Sequence, residues 1–272
     1  MTTLAEPTPT PTAVATPTLE ARGISKSFGS VEALVDVDFE VCSGEVMALV
    51  GDNGAGKSTL IKCIVGIHPT DGGEVFFDGE KVSIGGPKDA AKLGIEVVYQ
   101  DLALCDNLDV VQNMYLGRET RDWLFRLREA PMEARTAETL KSLRVTTISS
   151  IRQPVASLSG GQRQSVAIGR AVMWNSRVVI LDEPTAALGV AQTQQVLELV
   201  RRLAEQGLAV VLISHNLHDI FEVADRITVL RLGRNVDVFD RHGTTQQTVV
   251  HAVTAGVPTK VAGIPSAEEE PA

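Results

Sequence analysis

The eight residues Gly51-Asp52-Asn53-Gly54-Ala55-Gly56-Lys57-Ser58 constrain this chain more tightly than any other stretch in it. They fit the spacing G-x-x-x-x-G-K-[ST]. They also stand between Glu45-Val46-Met47-Ala48-Leu49-Val50, which reads as a buried strand, and Leu60-Ile61-Lys62-Cys63-Ile64-Val65, which reads as a helix. At such a junction the glycines let the backbone curl until successive N–H groups point at phosphate oxygens, and the helix beginning near Lys57 adds the positive end of its dipole. Lys57 is then placed to reach β- and γ-phosphates, Ser58 to offer a hydroxyl to Mg²⁺, and Thr59 to help hold an α-phosphate. Gly51, Asn53, Gly54, Ala55, Gly56, Lys57, Ser58 and Thr59 are therefore the candidate nucleotide-binding residues. A coincidental glycine-rich turn with a surface lysine is the plainer alternative, and the flanking strand and helix argue against it.

Two further apolar runs read as central parallel strands. Val178-Val179-Ile180-Leu181 ends on Asp182-Glu183, and Ala209-Val210-Val211-Leu212-Ile213 ends on Ser214-His215. Between them Val196, Leu199, Val200 and Leu203 recur at helical spacing opposite Arg201, Arg202 and Glu205, and Gly207 stops this crossover helix. Hydrophobic residues make up 44% of the chain and aromatics only 4%, which suits an aliphatic α/β core with helices on both faces of a sheet. Residues 102 to 172 carry mostly helical patterns, and this interruption of the strand alternation predicts an inserted helical subdomain.

Phosphoryl transfer needs a carboxylate near the metal and a group that orients the attacking water. Adjacent residues at a strand end point in different directions, so Asp182 is the candidate metal ligand and Glu183 the candidate for the water. Without the phosphate loop such a pair would read equally well as a solvated strand end. His215 ends the next strand at the same sheet edge and is a candidate for the γ-phosphate; an isolated histidine there would more often be structural.

The ends carry a different composition. Residues 1 to 18 are rich in Thr, Pro and Ala and read as a disordered tail. From Val257 the prolines and Glu268-Glu269-Glu270 read as a second, acidic one, which leaves a folded part over residues 19 to 256 without internal repeats. No run of about 18 uncharged apolar residues occurs and no secretory signal is visible, so a cytosolic location is expected. The formal charge of −9 argues against a sequence-independent grip on nucleic acid. Cys42, Cys63 and Cys105 lack metal-ligand spacing and read as buried reduced thiols.

Leu158-Ser159-Gly160-Gly161-Gln162, followed by Arg163 and a helical pattern upstream of Asp182, resembles the signature of ABC ATPases. A Ser hydroxyl, glycine N–H groups and a helix N-terminus make an anion site. The resemblance implies a P-loop NTPase (RecA-like) core with a mostly parallel sheet, an antiparallel β edge and a helical insert. It implies a head-to-tail dimer, a homodimer or a pair with a second cassette, in which Ser159, Gly160, Gly161 and Gln162 close on the partner's ATP. It further implies that Glu183 polarises the water, Gln100 senses Mg²⁺ and the γ-phosphate, His215 acts as a switch, and Lys57 belongs to the catalytic set. Phe28 stands where family members place an aromatic on adenine; a core phenylalanine is the other reading. Leu102-Ala103-Leu104 and Asp106-Asn107-Leu108 would receive a coupling helix from a membrane subunit, although an ordinary loop has the same look. One position departs: after Pro184-Thr185-Ala186-Ala187-Leu188, Gly189 stands where an aspartate is usual.

The wording of that stretch, with Tyr99-Gln100-Asp101-Leu102-Ala103-Leu104 and Ser214-His215-Asn216-Leu217-His218-Asp219, is similar to bacterial simple-sugar importers of the ribose, xylose and fructose type, where the glycine is not unusual and two cassettes are often fused. The expectation is an ATPase on the cytoplasmic side of the cell membrane, peripheral to permease subunits and served indirectly by a periplasmic or extracellular solute-binding protein. An exporter or an importer of another solute would carry the same catalytic residues. A ribosome- or DNA-acting ABC protein fits less well, because a second cassette, a charged linker and a coiled-coil insertion are all missing. A catalytically dead cassette fits poorly, since Lys57, Gln100, Asp182, Glu183 and His215 are all present.

Overall fold

The computed structural model describes residues 16–256; the tail readings over 1–15 and 257–272 lie outside the described residues. Thr18 already belongs to the fold. It is buried, its N–H donates to Val41 O at 2.9 Å, and its carbonyl accepts from Asp78 N at 3.0 Å.

In chain order the elements are β1 (Leu19–Phe28), β2 (Val31–Val41), β3 (Val46–Val50), α1 (Lys57–Ile64), β4 (Gly72–Phe77), β5 (Glu80–Val82), α2 (Pro87–Lys92), β6 (Ile95–Val98), α3 (Val110–Tyr115), α4 (Glu129–Ser142), α5 (Gly160–Val172), β7 (Val178–Asp182), α6 (Val190–Glu205), β8 (Ala209–Ile213), α7 (Leu217–Val223), β9 (Arg226–Arg231), β10 (Arg234–Asp240) and α8 (Gln246–Ala255). Six strands form one sheet in the order β10-β9-β3-β8-β7-β6, parallel except for β10 at its edge. Four antiparallel strands, β2-β1-β4-β5, form a second sheet.

Every residue of β3 is buried, because the large sheet is covered on both faces. Alternate side chains enter different cores. Met47 and Leu49 join Val178, Ile180, Val211 and Leu60 on the side of α1 and the antiparallel sheet. Val46, Ala48 and Val50 join Val179, Leu181, Val210 and the apolar face of α6 on the other. In α6 that face is Val196, Leu199, Val200 and Leu203, and Gly207 just beyond it takes φ +88°. Over residues 102–172 the chain makes no strand of either sheet. There α3, α4 and α5 bury a third cluster that includes Met114, Tyr115, Met132, Leu140 and Val166. Arg152 ties it on the outside, with Asp109, Glu129 and Glu133 as ion-pair partners.

Two links hold the loops at the strand ends in place. The turn between β9 and β10 braces the loop after β3: Gly233 N donates to Ala55 O at 3.0 Å, while Gly233 O accepts from Val35 N at 2.8 Å. Arg170, near the end of α5, donates to Leu102 O at 2.8 Å and Ala103 O at 2.9 Å, which fixes the segment after Gln100 to the helical layer. Of the three free thiols only Cys63, on α1, is buried. Cys42 and Cys105 are half-buried, which corrects the expectation for them, since each lies in a connection outside the elements: Cys42 just after β2, Cys105 in the loop before α3.

Candidate nucleotide site

The carboxyl ends of four parallel strands converge on one cleft of about 830 Å³. β3 delivers the glycine-rich loop, β6 leads to Gln100, β7 ends on Asp182 with Glu183 next, and β8 leads to Ser214 and His215; all of these residues line the cleft. Val250, Val253 and Thr254 of α8 close its far side, a contribution with no sequence motif to announce it.

The loop needs its glycines for space as well as for curvature. A Cβ on Gly51 would come within 2.2 Å of Leu230 O, and one on Gly56 within 2.9 Å of Ala33 O. Gly56 sits at φ +103° as the N-cap of α1, and no side chain caps that helix, so its first turn faces the cleft without a competing protein acceptor. Lys57 Nζ donates to Gly51 O at 2.6 Å and Asp52 O at 3.1 Å, lying back across the loop. Burial lowers the pKa of Lys57, with Glu183, Asp182 and Asp52 pulling the other way. Burial likewise raises that of Asp182, and the neighbouring charge of Glu183 adds to it against Lys57 and Lys62. For Lys57 and Asp182 alike, burial outweighs the attraction of the opposite charges beside them, so an ammonium and two carboxylates are gathered at strand ends where solvation is poor.

Glu183 holds a left-handed backbone, φ +51°, which a residue with a Cβ adopts at a cost of about 1–3 kcal/mol. Its N–H donates to Ile213 O at 2.9 Å, and its side chain meets His215, with Nδ1 and Oε2 2.8 Å apart. The turn therefore aims the carboxylate across the strand ends rather than along β7. His215 remains largely exposed, with a side-chain exposure of 73% against 17% for Glu183, so its ring projects into the cleft mouth and is not a core histidine.

Ser159 caps α5 reciprocally: its N–H donates to Gln162 Oε1 at 2.8 Å, and its Oγ accepts from Gln162 N at 3.4 Å. A Cβ on Gly160 would lie 2.8 Å from Leu188 Cδ2, and one on Gly161 3.1 Å from Gln192 Cβ, so the two glycines let the start of α5 press against the start of α6. Ser159, Gly160, Gly161 and Gln162 do not line the cleft of their own chain. Phe28 is not a core residue either. It is 45% exposed, edge-to-face with His68 at 5.2 Å, and stands apart from the lining, where Val31, Glu32 and Ala33 occupy that end. Gly189 is the N-cap of α6, in extended backbone with φ −75° and with no side-chain cap.

The pattern of the ABC transporter family matches residues 34–186. The fructose import ATP-binding protein of Rhizobium meliloti is 46% identical over 244 residues, 88% of this chain and 94% of that one. The xylose/arabinose import ATP-binding protein of Sulfolobus acidocaldarius is 46% identical over 237 residues, 87% and 94% of the two chains. Among solved structures, a dimeric ATP-binding cassette in a post-hydrolysis state with ADP and phosphate superposes with a TM-score of 0.69 at 26% identity, covering 83% of this chain and 100% of that one. The family pattern takes in the loop after β3, the helical layer and the end of β7 with Asp182 and Glu183, and the protein belongs to the ABC transporter family as an ATP-hydrolysing cassette.

Proposed function

We propose that this chain powers import of a simple sugar, as a dimer of cassettes attached to permease subunits on the cytoplasmic side of the membrane. The observation that carries the hydrolytic part is the Glu183–His215 pair, 2.8 Å apart, at the mouth of the cleft that also holds Lys57. Lys57 binds the β- and γ-phosphates, and the N–H groups from Gly54 to Thr59 take up their oxygens. Glu183 accepts a hydrogen bond from the attacking water, and His215 holds the glutamate in line with it.

The residues present suit Mg²⁺. Among the described residues no group of three His, Cys, Asp or Glu is gathered to hold a metal by itself. Mg²⁺ ordinarily rests on one or two protein oxygens plus substrate phosphates, and Asp182, Ser58 and Gln100 on the cleft wall meet that demand. When bound, the ion neutralises charge developing on the phosphates.

Because Ser159 to Gln162 lie outside their own chain's cleft, the reading gives them to the phosphates of a partner cassette, in a head-to-tail dimer. Phe28, exposed and unclaimed by the core, is read as stacking on adenine. Among the described residues no helix is long and apolar enough to cross a membrane. Permease subunits supply the transport path in this proposal, Leu102 to Leu108 form the surface that meets them, and a solute-binding protein acts through those subunits. Sugar as cargo rests on the two relatives named for fructose and for xylose/arabinose import, each matched along 94% of its length.

The test is Mg²⁺-dependent ATP turnover by the purified chain beside Glu183→Gln, with mass followed by light scattering. The expected result is turnover by the wild type, loss of about 10²–10⁴-fold in the variant, and an ATP-loaded dimer that accumulates only in the variant. A variant that hydrolyses ATP at the wild-type rate would refute the assignment of Glu183.

A further inference from the structure

Glu183 and His215 sit on different turns, one after β7 and one after β8. A single buried carboxylate joins those turns. Asp219, in the first turn of α7, is 2% exposed. Its Oδ2 accepts from Thr185 Oγ1 at 2.7 Å and its Oδ1 from Asn216 Nδ2 at 2.8 Å. Thr185 follows Glu183 by two residues and Asn216 follows His215 by one. Asn216 is fixed in turn, since its Oδ1 accepts from His218 N at 3.0 Å as the N-cap of α7, and its N–H donates to Ser214 Oγ at 3.0 Å.

A carboxylate withdrawn from water loses much of its solvation unless donors replace it. Here both replacements are neutral side chains, and among the described residues no lysine or arginine forms an ion pair with Asp219. Hydrogen bonds to an ionised acceptor are roughly twice as strong as neutral ones, so the charge tightens both links at once. We propose that Asp219 is a positioning residue for hydrolysis: it clamps the turn bearing Glu183 to the turn bearing His215 and thereby fixes the 2.8 Å contact between them. The inference rests on the hydrolytic reading of that pair. Neither Thr185 nor Asp219 lines the cleft, so the clamp acts on geometry and not on nucleotide affinity.

Misplacement of a catalytic group by about 1 Å lowers turnover by up to about 10²-fold. Asp219→Asn keeps the shape and removes the charge, Thr185→Val removes the hydroxyl, and Thr185→Ser restores it. Turnover of the wild type that disappears in Glu183→Gln establishes the site by itself, so the clamp is judged separately. The expected result is a kcat about 10–100-fold lower in Asp219→Asn and in Thr185→Val, with KM for ATP and the affinity for a fluorescent ATP analogue within about twofold of wild type. Thr185→Ser recovers most of kcat, and the double variant Asp219→Asn/Thr185→Val is no worse than the more impaired single one, as expected for residues acting as a unit. The proposal is overturned if kcat of Thr185→Val stays within twofold of wild type, if the two losses multiply, or if kcat falls only together with nucleotide affinity. Should Asp219→Asn fail to fold, the Thr185→Val and Thr185→Ser pair decides the matter unaided.

Discussion

At the scale of single residues the site is held in a form that costs stability. Glu183 keeps a left-handed backbone, and Asp182 keeps a carboxyl whose pKa burial and Glu183 push upward. A carboxyl raised in the folded state favours folding when protonated and opposes it once pH rises through the folded pKa. Asp182→Asn in metal- and nucleotide-free buffer should therefore raise the melting temperature by about 1–3 °C at pH 8, with the gain shrinking as pH is lowered, while turnover is lost; differential scanning fluorimetry across pH checks this, and a gain that grows toward low pH would contradict it. Gly56 makes the opposite case, in which space and φ leave no choice. Gly56→Ala places a methyl 2.9 Å from Ala33 O at φ +103° and should weaken ATP binding at least about tenfold by equilibrium titration.

Elements were legible in the sequence to the degree that burial is uniform along them. β3, β7 and β8 are apolar runs because both sheet faces are covered, and α6 shows its stripe because only one side meets the core. The antiparallel strands left no clean pattern of their own, and the antiparallel edge was expected only on the family resemblance. β1 carries Glu20, Arg22, Lys26 and register shifts beside its buried Leu19, Ala21 and Ile24, so no clean period of two survives. α4 is polar along most of its length, with Met132, Thr136 and Leu140 its only buried residues. The contiguous parts of the site were readable for the same reason that motifs exist, since backbone geometry demands neighbours in sequence. The Thr185–Asp219–Asn216 clamp was not, because it joins two turns through one side chain whose burial no local pattern reveals. Gly189 gains a plain element-scale meaning: it caps α6 without a side-chain acceptor, and a Cβ there meets nothing within 4 Å. Gly189→Asp should add a few tenths of a kcal/mol by capping the helix, seen as a rise of about 1 °C in melting temperature; a fall would show that the turn resists the side chain.

Across the whole molecule, the two sheets are joined by polar links as well as by apolar packing. Arg226 at the start of β9 donates to Glu45 Oε1 at 2.5 Å and to Glu40 Oε1 at 2.7 Å, reaching β2 from the parallel sheet. Arg226→Met leaves Glu45 with 11% exposure and no cation, and should lower stability by about 2–4 kcal/mol in urea titration. A shift under about 0.5 kcal/mol would show the apolar layer alone to be sufficient. The bonds from Arg170 to Leu102 O and Ala103 O belong to this scale too. α5 runs 13 residues from Gly160 to Val172, a rod of about 20 Å. One end grips the chain just past Gln100 and the other is capped by Ser159. The segment just past Gln100 and the turn at Ser159 are thus tied to opposite ends of one unbroken helix, so neither can be displaced without moving or straining the rod between them.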